Sequence, residues 1–206
     1  GYIYSAPVAA YAYKSVAGNK YDLIIVMAQS HFFDFSGAAI YSGNKFSTPI
    51  GEVAVDKETV EKIVNAKFAS YGDTCFNKEH SLEVQLPFIK KLFSNTPIVP
   101  IIFGKYDIAQ LNDFVEFIVD FSKENNVLIV ASTDMSHYHD YETAVEKDNY
   151  TIDKILNSEF SDFLAKTFSQ ECEYCGYFPL LFFKKYSQLK NNEIKLLKYA
   201  NSGDTA

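Results

Sequence analysis

Hydrophobic residues fall along this chain in two rhythms, short unbroken runs and helical stripes. Residues 23–27, 98–103 and 127–132 are continuous apolar runs bounded by turn signals, the mark of strands buried on both faces of a parallel sheet. Pro100 interrupts the second run, and its missing N–H predicts a strand end or a sheet edge there. Between the runs, polar residues return with helical spacing. Residues 7–16 predict an Ala-rich helix closed by Gly18, and Asp56 starts another that runs to about Lys67. Residues 108–123 put Leu111, Val115 and Ile118 on one inward face, with Phe121 or Val119 beside them. Two more helices are expected between Glu142 and Phe168 and one over 176–189, then a final strand over 194–200. Residues 32–52 read as a long loop containing a hairpin. Strands alternating with helices predict an α/β fold: one domain over 1–206 with a largely parallel central sheet flanked by helices.

One segment joins a core pattern to candidate chemistry. In 79–93, Leu82, Leu86, Ile89 and Phe93 form an apolar stripe, while Glu83, Lys90 and Lys91 lie away from it. Glu79 and His80 stand at the front of this helix, where unpaired N–H groups collect polar side chains, and Ser81 is a possible cap. Pro87 predicts either a kink near Glu83 or a fresh start at Pro87.

Composition narrows the function classes. The chain has 206 residues, 48% hydrophobic and 16% aromatic, enough for a core of ordinary size. Its net charge is −7 and all 19 basic residues are Lys. Without a basic stripe or Arg forks, nucleic-acid partners are not expected, and a phosphotyrosine pocket built on a bidentate Arg is ruled out. No apolar run approaches the roughly 20 residues of a membrane span, and the first residues lack the pattern of a signal peptide. Cys75, Cys172 and Cys175 are too few for a disulfide framework. Together these predict a soluble cytoplasmic protein.

Chemistry-bearing residues gather at element ends. His31 follows the first strand, Asp134 and His137 follow the third, and His80 and Cys175 sit at helix beginnings, near the strand ends where open α/β sheets bind ligands. Singly, each has a plainer reading: a loop His, an N-capping Asp, a small buried Cys. Cys172-x-x-Cys175 also reads as a redox pair or half a zinc site. Jointly they suggest a metal or thiol site. His31, His80 and Cys175 supply two imidazoles and a thiolate, a set suited to copper, zinc or iron, with Asp134 and His137 as a supporting shell or an acid/base pair. Glu79 is then expected to orient the ring of His80.

Ser30-His31, Thr48-Pro49 with Gly51 and Asp56, Glu79-His80-Ser81-Leu82-Glu83-Val84-Gln85-Leu86-Pro87, Ser132-Thr133-Asp134-Met135-Ser136-His137-Tyr138 and Cys175-Gly176-Tyr177 occur in the order and spacing of the Memo family. The chain resembles that family over nearly its whole length; bacterial and archaeal members are called AmmeMemoRadiSam system protein B. Gly1-Tyr2-Ile3-Tyr4-Ser5 is similar to the tail of the family's Pro-His-Ala-Gly-Tyr motif, so the chain is expected to lack N- and C-terminal segments of a longer protein. The resemblance implies a fold similar to class III extradiol ring-cleavage dioxygenases. It also implies His31, His80 and Cys175 at metal positions with Asp134 and His137 beside them, and these two are expected as the catalytic, proton-handling pair. Those dioxygenases hold non-haem iron with two His and a carboxylate, and a Cys at the third position departs from that triad. Animal members are linked to copper, redox chemistry and motility downstream of receptor tyrosine kinases.

The leading expectation is a redox protein binding copper or iron, with zinc a further possibility. Two others stand beside it. One is a non-catalytic module whose pocket, lined by the same residues with Phe32, Phe33 and Tyr177, holds a small molecule or a peptide. The other is thiol or hydrolytic chemistry with Cys175 as nucleophile and His80 or His137 as base.

Overall fold

The structure, a computed structural model describing residues 1–205, is organised around strand β1, Leu23–Gln29, whose first six residues are buried. Parallel neighbours flank it: β6, Ile98–Phe103, on one side and β7, Val127–Ala131, on the other, so that Ile25 faces Val99 and Ile129. Beyond β6 come β2, Ala38–Ile40, running antiparallel, and β5, Ser70–Tyr71, parallel to β2. The sheet order is therefore β5-β2-β6-β1-β7. A separate hairpin pairs β3, Lys45–Thr48, with β4, Gly51–Ala54. The expected hairpin is present, but β2 was not foreseen: three residues are too short to carry a periodic signal.

Pro100 lies inside β6, away from both the sheet edge and the strand's ends, contrary to expectation. Ile24 N–H donates to Pro97 O, which sets the odd-numbered residues of β6 toward β1. Pro100 therefore turns its missing donor to the β2 side, one residue past the last β2 pair, Ile40 with Ile101, where no donor is required. The third run departs from expectation in burial. β7 has one neighbour only, and its five residues are half-buried.

Helix α1 spans Tyr2–Val16, starting before Pro7. The carbonyl that Pro7 leaves unpaired belongs to Ile3, which is exposed and can be solvated. The other elements follow their caps. Asp56 accepts from Thr59 N–H at the front of α2, Lys57–Asn65, and Asp107 does the same for Gln110 at α5, Ile108–Phe121. Asp140 caps α6, Tyr141–Asn157, through Thr143 N–H; α7 is Phe160–Phe168 and α8 is Tyr177–Leu189.

The segment around His80 splits as one of its two expected outcomes. Helix α3, His80–Glu83, ends, and α4, Leu86–Leu92, begins with Pro87 in its first turn, where the lost N–H costs nothing. Leu82, Leu86, Ile89 and Phe93 are all buried. The expected final strand over 194–200 does not form. Leu196 and Leu197 are consecutive and both exposed, so no alternation exists for a sheet to use. The segment instead lies as a strap, with the Tyr199 hydroxyl donating to Asp148 of α6 at 2.7 Å, before the short α9, Ser202–Thr205.

Candidate metal centre

Because β1 and β7 are parallel, the loops that follow them leave the same edge of the sheet. The β1 loop brings His31 and the β7 loop brings Asp134 and His137. Cys175 arrives from the other direction, ahead of α8, and is tied down by main-chain bonds. Its N–H donates to Asp134 O at 3.0 Å, and Gly176 N–H donates to Thr133 Oγ1 at 2.8 Å. A Cβ on Gly176 would lie 2.5 Å from Ser132 O, so only glycine permits this approach of α8 to the end of β7. Asp134 N–H in turn points at Cys175 Sγ, 3.2 Å away.

Asp134, His137 and Cys175 each offer a donor atom, and these atoms lie within 4.8 Å of one another. Bonds of about 2.0–2.3 Å to a shared ion would require only modest contraction of that triangle. Carboxylate, imidazole and thiolate form a mixed donor set of the kind that holds copper, iron or zinc, so the residues fit such an ion. The two residues expected as acid/base partners thus form the tightest cluster with Cys175, and neither His31 nor His80 belongs to it.

His31 adjoins the cluster, beside Cys175. Its Nδ1 lies 3.0 Å from Glu79 Oε1, and its own N–H donates to Glu79 Oε2 at 2.8 Å. The neighbouring Cys175, and next the hydrogen bond to Glu79, raise the His31 pKa to about 10. Glu79 is 3% exposed and also accepts from Ser81 N–H at 3.2 Å and Ser81 Oγ at 2.6 Å. Burial pushes its pKa up, but the bonds from His31 and Ser81 prevail and hold it at about 2. Glu79 therefore orients His31, where His80 was expected, and Glu79 itself caps α3 where Ser81 was expected to. His80 is exposed, its ring edge-on to Phe32 at a centroid distance of 5.3 Å.

The sequence profile of the Memo-like protein family matches residues 1–206. The chain belongs to the Memo-like family. A MEMO1 family protein of Caldivirga maquilingensis is 34% identical over 212 residues, covering all of this chain and 75% of the relative. One from Thermotoga neapolitana is also 34% identical over 212 residues, covering all of this chain and 74% of its own. The crystal structure of an uncharacterized protein, JW3007, from Escherichia coli K12 superposes with a TM-score of 0.59 at 14% identity, over 85% of this chain and 80% of that one. That likeness concerns the fold alone.

In this Memo-like chain the site is backed by buried and half-buried polar residues that form no local pattern in the sequence. Tyr13 OH donates to Gln85 Oε1 at 2.9 Å, Gln85 Nε2 donates to Ser132 Oγ at 2.9 Å, and Ser132 Oγ donates to Ser81 O at 2.6 Å. Gln29, at the end of β1, donates to Phe103 O and Gly104 O and accepts from Phe178 N–H, bolting β6 and α8 to β1. A polar residue closing a buried apolar run was the available signal for Gln29. A cavity of about 370 Å³ opens beside His31, lined by Gln29, Ser30, Phe32, Phe33 and Lys105. Tyr177 does not line it and packs on Phe178 and Phe168 instead. Tyr138, next to His137, is fully exposed with a left-handed φ of 65°. Among the described residues no helix is long and apolar enough to cross a membrane, and all three cysteines are free.

Proposed function

We propose that this protein holds a redox-active transition metal, copper or iron, at the carboxyl end of its parallel strands. The observation that carries this reading is the meeting of Asp134, His137 and Cys175 donors within 4.8 Å, beside an imidazole backed by a buried carboxylate. A metal-binding His commonly gives its second ring nitrogen to a carboxylate, which fixes the ring and raises its basicity, and the His31–Glu79 pair has that form. We therefore keep His31 in the ligand role expected of it and leave His80, which stands apart from the cluster, without one. Bound copper or iron supplies one-electron chemistry and a Lewis-acidic position. Around it, Cys175 contributes the soft donor, Glu79 aims His31, and exposed Asp134 and His137 ligate or carry protons to a substrate entering past Phe32 and Phe33. Metal analysis of protein purified without chelator or affinity-tag metal tests the reading: copper or iron near one equivalent in the wild type, lost in Cys175→Ser, supports it. Absence of copper, iron and zinc from both proteins overturns it.

A second reading is favoured by the succession Cys175, His31, Glu79, in which an imidazole lies beside the thiol and is hydrogen-bonded to an orienting carboxylate. As a thiol nucleophile, Cys175 would be paired with His31, held protonated by its partners, in place of His80 or His137. Fast alkylation of Cys175 at pH 6 with metal content unchanged would support this reading over the first.

A further inference from the structure

Helix α6 carries two buried polar side chains one turn apart on its inner face, Asp148 and Thr151. Each holds one of the loops that bring donors to the candidate centre. Asp148 Oδ1 accepts from Ser136 N–H at 2.8 Å, in the loop between Asp134 and His137. Thr151 Oγ1 accepts from Glu173 N–H at 3.1 Å, two residues before Cys175. The second oxygen of Asp148 accepts from the Tyr199 hydroxyl at 2.7 Å, so the strap over 194–200 completes the anchor. The only fully buried acids among the described residues are Glu79 and Asp148, and both are spent on the two donor-bearing loops. Burying a carboxylate is costly unless its oxygens are satisfied, and here that cost is met by bonds that fix main chain at the site.

We infer that Asp148 is a positioning residue for the candidate centre, holding the Asp134–His137 loop through Ser136 N–H, with Tyr199 orienting its carboxylate. The inference rests on the proposed metal reading for its functional meaning, while the anchoring itself does not. Neither Asp134 nor His137 has a side-chain hydrogen bond among the described residues, so loop geometry alone sets where their donors lie. Asparagine at 148 keeps an acceptor for Ser136 and offers Tyr199 an N–H, whereas alanine keeps neither.

Amide exchange of the metal-free protein and cobalt(II) titration followed by absorbance test this together. In Asp148→Ala, amides of 133–139 exchange faster while those of β1 stay protected, Tyr199→Phe falls between, and Asp148→Asn stays near wild type. Cobalt(II) affinity drops roughly tenfold in Asp148→Ala and recovers in Asp148→Asn. Combined with His137→Ala, Asp148→Ala adds less than its own separate loss, because both act on the same donor. Unchanged exchange in 133–139, a uniform rise across the chain, or additive affinity losses would overturn the inference. Should wild type take up no cobalt(II), the metal reading fails, and the exchange pattern alone decides whether Asp148 anchors the loop. Should Asp148→Ala fail to fold, Tyr199→Phe decides by the same two measurements.

Discussion

The two sides of the site are built differently. On the β1 side, His31 is fixed at main chain and ring by a carboxylate that is itself nearly sealed from water, and that carboxylate is held by Ser81. On the β7 side, Asp134 and His137 are exposed and held only through their backbone, on a half-buried edge strand. One donor is preorganised and two are adaptable. A metal centre of the proposed kind built on these two sides would keep one geometry rigid while the other side adapts.

Breaking the rigid side should have the larger effect. Glu79→Ala leaves the His31 and Ser81 donors without their buried acceptor and should cost about 1–3 kcal/mol in urea unfolding, as removing one partner of such hydrogen bonds does. The same variant should lose ten- to a hundredfold in metal affinity, roughly the worth of such a supporting carboxylate. An unfolding loss equal to that of an exposed acid such as Glu142 would erase the distinction between the two sides.

A pH series on metal-free protein sharpens it. His31 is raised from 6.5 to about 10, so the stability it confers is complete below pH 6.5 and lost as pH rises through 10. Glu79 is lowered from 4.5 to about 2, so its contribution is present above pH 4.5 and lost as pH falls through 2. Urea midpoints should therefore be highest between pH 4.5 and 6.5 and decline on both sides. The alkaline decline should vanish in His31→Ala and persist in His137→Ala. Metal affinity should rise over the same alkaline range, since a ligating imidazole must shed its proton.

Smaller effects are expected at the periphery. His80→Ala should leave metal affinity unchanged, because His80 stands outside the donor cluster; a large loss would return it to the site. Tyr138→Asn should raise unfolding free energy by about 0.5–1 kcal/mol, since Asn tolerates the left-handed backbone better and the exposed ring gives up no packing.

Much of the fold was legible because it is encoded locally. The runs that became β1 and β6 are apolar at every position, and Asp56 announces its helix by a cap that needs only residues three apart. The gathering of His31, Asp134, His137 and Cys175 was legible because parallel strands deliver their loops to one edge. What escaped is set by partners distant in sequence. The pairing of Glu79 with His31 spans 48 residues, and adjacency in the chain had pointed to His80. The edge position of β7 depends on strand order, which burial of its own residues does not encode. The 194–200 segment had strand-forming residues, but no sheet edge receives it, and Tyr199 settles on Asp148 instead.

In the proposed centre Cys175 is a metal donor flanked by a preorganised His31 and an adaptable Asp134–His137 loop. Anaerobic copper(II) titration of the metal-free protein, followed through the thiolate-to-copper charge-transfer absorption, tests it most directly. The account predicts a band that saturates at one equivalent, is absent in Cys175→Ser, and is shifted but retained in His137→Ala. Binding that raises no such band, or that is identical in wild type and Cys175→Ser, would contradict it.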